Sequence, residues 1–248
     1  MKRRAWLIAL PISVAVGVAG GSAWWLAQGT DSTVAPAPMA EADRDGVAFA
    51  SDDLVAFLLP ESDYEDFSSD PFALGDATIE FHGGFMSDAA SGCHLPHNGI
   101  TTAPAGYRLV QGSYDTGGVP QVTQQQVFLF SSVDEAQEAF ASVEDLLDDC
   151  TNFSIAQPDG GRGSDVTIDL VSLNGDGSAA AGIAEMSGYE IGNVGWVVMR
   201  QANVITTMSV LELLDDDLVS ADLMRGLAAL MQDRADYVSQ LQQTGVDR

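Results

Sequence analysis

One lysine stands in 248 residues, and it is Lys2, beside Arg3 and Arg4. Everything downstream is Lys-free: seven arginines face 36 Asp and Glu, a net of −29. Affinity for phosphate backbones needs clustered Lys and Arg, so this shortage argues against nucleic acid as a partner. Histidine is nearly as scarce, with His82, His94 and His97 the whole supply of imidazole general bases. No Gly-x-Ser-x-Gly elbow occurs, which leaves nucleophilic serine chemistry without its usual setting. Cysteine is limited to Cys93 and Cys150, and no internal repeat is present. Apolar residues are not in short supply: at 46% they argue against composition-driven disorder despite the charge.

The apolar residues are unevenly placed. After the basic tip, residues 1–4, an uncharged run extends from Ala5 to Ala27. At about 1.5 Å per helical residue it is long enough to cross a hydrocarbon core of roughly 30 Å. Trp6 and Trp24-Trp25 lie near its two ends, where interfacial aromatic anchors belong. Positive charge before the run and Asp31 after it place the N-terminus in the cytoplasm. The reading is a single-pass membrane anchor at 5–27 with the remainder extracytoplasmic. The alternative is a cleaved signal peptide and a secreted chain, because Pro11, Gly17, Gly20 and Gly21 weaken the helix. In an oxidising compartment two cysteines usually pair, so a Cys93–Cys150 disulfide is expected.

Residues 28–46 are small, polar and Pro-containing, a flexible stalk. The folded domain is read as 47–243. Ser51-Asp52-Asp53 before Leu54–Leu59 predicts an N-capped short helix stopped by Pro60. Strands are predicted at Ala77–Phe81, Tyr107–Val110 and Val122–Phe130. Ser132-Val133-Asp134-Glu135 is a capping box that starts a helix with Ala136, Phe140, Val143 and Leu147 on its buried face, ending near Cys150. Val166, Ile168 and Leu170 alternate with polar residues and predict a half-buried strand; Ala179–Met186 reads as another. Gly195–Arg200 and Val204–Val210 flank a short turn, a hairpin. Leu223, Leu227, Leu230, Val238 and Leu241 outline a C-terminal helix starting near Ser220. The order helix, strands, helix, four strands, helix predicts an α+β fold, a mainly antiparallel sheet with two main helices packed on it.

This layout resembles the PknH-like extracellular sensor domain of some bacterial receptor serine/threonine kinases and of related stand-alone exported proteins. The residues that carry the resemblance are Val122–Phe130 running into Ser131–Ala136, Cys150 at the end of that helix, Cys93 in Ser91-Gly92-Cys93, and Arg200–Ile205. The resemblance implies an α+β domain with a cleft that binds an extracellular ligand and does no catalysis. Two departures stand out: there is no kinase region, and one disulfide is available where the kinase sensor has two. A stand-alone member is the better match.

Other candidate sites have simpler readings. His94 and His97, with His82, approach a zinc-ligand set, but Pro96 blocks a helical presentation and Cys93 is better used in the disulfide. Asn174–Ser178 with Glu185 echoes a calcium loop, yet position six is Ala179 where Gly is required, so a turn between strands is preferred. Asp159–Ser164 is Gly-rich but lacks the Lys and the setting of a phosphate loop. Trp196, Phe128 and Phe130 are read as core, with a ligand cleft lined by them as the sharper alternative. The expectation is therefore a membrane-anchored, non-catalytic domain without a cofactor, for a small ligand or a neutral or basic protein or cell-envelope partner. The alternatives are an exported hydrolase with a carboxylate site and a secreted acidic structural or cation-binding protein.

Overall fold

The computed structural model describes residues 48–59, 75–77, 92–96, 100, 102–115, 120–155, 163–173, 177–188, 192–213 and 219–244. The predicted span and stalk lie outside them, and so do His82, His97, Asn174–Asp176 and Asp159–Arg162. All described residues belong to one compact unit, Pro36–Arg248. Among them no helix is long and apolar enough to cross a membrane.

A 3-10 turn at Ser51–Asp53 continues into helix α1, Leu54–Phe57. Its cap is Ala50 rather than the expected Ser51, and the Asp53 carboxylate turns back to accept the Ala50 N–H at 2.7 Å. The helix ends earlier than its apolar run, because Leu58 is already extended. Strands β1 (Gly75–Ala77), β2 (Gly106–Asp115) and β3 (Pro120–Leu129) follow. Helix α2 (Val133–Asp149) leads to β4 (Asn152–Ile155), β5 (Ser164–Leu170), β6 (Ala179–Gly188), β7 (Gly192–Gln201), β8 (Val204–Leu213) and helix α3 (Ala221–Thr244). The sequence pattern predicted four strands between the last two helices and the structure has five. The addition is β4, a four-residue edge strand too short to show a period.

The strands form one sheet in the order β1-β2-β3-β8-β7-β6-β5-β4, with every ladder antiparallel. Two meanders, β1–β3 and β4–β8, meet where β3 pairs with β8. The chain leaves the centre at β3 and resumes at the far edge at β4, five strand spacings or about 24 Å away. Helix α2 has 17 residues, about 25 Å of helix, so one element bridges that gap across a sheet face. Helix α3 covers the opposite face with α1. With helices on both faces the central strands lose the one-sided alternation, and β7 is buried continuously from Val194 to Met199.

The core is accordingly two layers. On the α3 face Phe49, Leu54, Phe57, Val127, Leu129, Val197, Met208 and Leu227 pack together. On the α2 face Phe128, Phe130, Phe140, Val143, Trp196, Val198 and Ile205 do, joined by Cys93, Leu95 and Ile100. The α2 sequence reading holds in detail: Ser132 Oγ accepts the Glu135 N–H, and Ala136, Phe140, Val143 and Leu147 are buried. The reciprocal half of the box is displaced by one residue, since the Glu135 carboxylate accepts from the Ser131 N–H and hydroxyl. In α3 Ser220 Oγ accepts the Leu223 N–H as expected, but the buried stripe is Met224, Leu227, Met231, Ala235 and Val238. Of the five predicted stripe residues only Leu227 and Val238 are fully buried, because Met224 seats against Gly195, which has no side chain to hold it off.

Candidate functional site

Cys93 and Cys150 are joined, with Cα atoms 5.5 Å apart, within the ordinary range for a disulfide. The bond ties the end of α2 to the segment Cys93–Pro96, and with Ile100 this closes the α2 face of the sheet. The strand register then lays three rows of side chains across that face. One runs Tyr107, Phe128, Ile205, Arg200. The next runs Leu109, Gln126, Thr207, Val198, Ala180. The third runs Gln124, Ser209, Trp196, Gly182, Leu170.

A polar strip therefore lies inside an apolar layer: Gln126 and Ser209 are 8% exposed and Thr207 is fully buried. The Tyr107 hydroxyl donates to Gln126 Oε1 at 2.7 Å, and burial raises the pKa of that phenol well above its ordinary value. Trp196 is fully buried, its ring lying over Gly182; a Cβ there would stand 2.6 Å from Trp196 Cζ2 and 2.8 Å from the Asp169 carbonyl oxygen. With the ring filling that row, Leu170 at its end stays 58% exposed, where the sequence alternation predicts it buried.

Hydrogen bonding divides the two faces. On the α3 side the buried polar groups are matched, Arg234 Nε excepted. Asn203 Oδ1 accepts the Phe49 N–H at 2.8 Å, while its Nδ2 donates to the carbonyls of Phe49 and Phe130. Gln125 accepts the Leu59 N–H and donates to the Phe57 carbonyl. Glu212 accepts the Val219 N–H, and Asp53 accepts from Gln242 as well as from Ala50. The α2 side differs. Among the described residues five buried polar atoms have no hydrogen-bond partner. Four of them, Trp196 Nε1, Thr207 Oγ1, Arg200 Nε and His94 Nε2, belong to the α2-face strands or to the Cys93 segment; only Arg234 Nε is on α3. A buried donor or acceptor left unpaired costs about 1–3 kcal/mol, so the concentration on one face is costly.

The structure thus brings Trp196, Phe128 and Phe130 together, as the sequence reading allowed. His94 lies in the Cys93 segment, its Nδ1–H donating to the Gly92 carbonyl at 2.9 Å. Among the described residues no group of three or more His, Cys, Asp or Glu could hold a metal. The calcium-loop reading meets an obstacle of distance: Ala179–Gly188 is strand β6, so Glu185 lies seven residues along extended chain from Ser178, about 23 Å. Sequence reasoning missed Arg200, Thr207, Asn203 and Gln125. The available signal was polar residues set between aromatic and branched ones in strands too apolar to be edges.

No family model matches the sequence, and no curated protein does. Among solved structures the chain is similar to the extracellular domain of PknH from Mycobacterium tuberculosis, at 16% identity and a TM-score of 0.55, covering 77% of this chain and 98% of that one. It is also similar to an uncharacterised protein from Mycobacterium smegmatis, an Rv0999 ortholog, at 11% identity and a TM-score of 0.33, covering 56% of this chain and 70% of that one. The second is too distant to bear on the fold. The first shows a shared fold, the one that the sequence resemblance implied.

Proposed function

We propose that the chain is an extracytoplasmic, non-catalytic, sensor-like domain that binds a ligand or a protein partner and is held to the membrane by residues 5–27. The observation that carries this reading is the buried Cys93–Cys150 disulfide, a bond of oxidising compartments, in a fold shared with an extracellular domain. The basic tip and the uncharged run before the domain supply orientation and anchor. Among the described residues the buried carboxylates of Asp53 and Glu212 accept the backbone N–H groups of Ala50 and Val219.

Thiol labelling and protease accessibility test it together. In intact cells Cys93 and Cys150 should resist a bulky maleimide until reductant is added, and protease outside the membrane should degrade the domain while the N-terminal tip stays protected. Free thiols in native protein, or a domain shielded from external protease, would sink the reading. Recovery of the domain in the medium with a new N-terminus would favour the cleaved, secreted form.

A further inference from the structure

We infer that the α2 face is a closed binding site that opens by the lifting of α2 together with the Cys93 segment, and that its guest is an amphiphile with an apolar body and one anionic head. The inference rests on the ligand-binding reading above and adds the place, the moving part and the chemistry.

Buried Trp N–H groups usually find a partner, and buried hydroxyls nearly always do. Here both Trp196 Nε1 and Thr207 Oγ1 fail to, in side chains with no exposure, and they stand in adjacent rows of one face. On the opposite face Asn203, Gln125, Asp53 and Glu212 are matched and Arg234 Nε is not, so most of the deficit lies on the α2 face. Closure of the α2 layer carries a cost, and a guest whose head reaches Thr207, one row from Arg200, removes the Thr207 part of it on entry.

The layer is built to move as one piece. Cys150 caps α2 and is bonded to Cys93, so the helix end and the Cys93 segment cannot separate. What they cover is Phe128, Val198 and Ile205, an apolar bed for a chain or ring. The end of the bed is Arg200, in the row of Phe128 and Ile205. Among the described residues the ion pair is Arg225 with Asp222 on exposed α3, and Arg200 has none, in a chain with 36 acids. A guanidinium in that position, with Nε buried and unpaired, fits one carboxylate or similar head. Because the surrounding field repels anions, the apolar body must supply much of the affinity, and added salt strengthens binding.

The test uses the full chain in lipid nanodiscs with Trp6, Trp24 and Trp25 changed to Phe, so that Trp196 is the one tryptophan. Octanoate is titrated and Trp196 emission and acrylamide quenching are read. A saturable change is expected, with octanol and acetate each at least tenfold weaker. Thr207→Val and Arg200→Gln should each weaken octanoate at least tenfold, and Thr207→Val should also raise the melting temperature, which shows that it folds. No saturable change, or octanoate binding indifferent to both substitutions, overturns the inference. If octanoate fails while a wider ligand screen shifts the melting temperature, the binding-domain reading stands and only this site and chemistry fall.

Discussion

Asn203 lies in the two-residue turn between β7 and β8, 2% exposed, and both ends of its carboxamide are in use. It holds Phe49 by N–H and carbonyl and Phe130 by its carbonyl, while the Asn203 main-chain oxygen accepts the Phe130 N–H at 2.8 Å. Asn203→Ala leaves three buried backbone groups without those partners and is expected to cost about 3 kcal/mol, read as a lower urea midpoint at unchanged slope. A loss under about 1 kcal/mol would mean that the clamp is slack. From sequence Asn203 is only an ordinary turn residue. Its role depends on Phe49, 154 positions away, and no local pattern carries that pairing. Leu170 failed for a similar reason: its period was correct, but the space it would fill belongs to the Trp196 ring across the sheet.

Elements were legible in proportion to how far their signals are local. Helix α2 was readable because a cap, an apolar stripe and a stop all lie within 19 residues, and the β7–β8 hairpin because its turn adjoins its strands. The stripe of α3 was misplaced since two methionines and an alanine, weak as pattern markers, take the inward positions and push the leucines to the flanks. The tilt is set by the partner strand, where Gly195 admits Met224. On the other face Gly182 gives way to Trp196 in the same manner. Gly182→Ala would set a methyl against both a ring and a backbone oxygen, and a loss of about 2 kcal/mol is expected. Near-UV circular dichroism should weaken with it, since the Trp196 packing is disturbed; an unchanged spectrum and melting point would show that the ring shifts freely.

At the scale of the whole molecule the sequence indicated an α+β, antiparallel, disulfide-closed domain, and the structure adds that the sheet is covered on both sides. The Cys93–Cys150 bond closes a loop of 57 residues, and in the chain-entropy model it contributes about 4 kcal/mol. Cys93→Ser with Cys150→Ser should lower stability by about that amount, as should reductant on the native protein; two-state melting curves with and without reductant check both. A drop under about 1 kcal/mol would place the stabilisation in the native contacts instead. The sheet order has a further effect, on the timing of assembly. β3 pairs with β8, Val122 opposite Leu211, so the central ladder, like β7–β8, forms only once the last strand has emerged. Until β8 arrives, the first meander keeps β3 as an open edge, able to pair with a neighbouring chain. The contact of Phe49 with Asn203 waits as well, because Asn203 sits in the turn just before β8. Assembly of this domain is therefore completed from its C-terminal third, and that interval is when it is most exposed to its own copies.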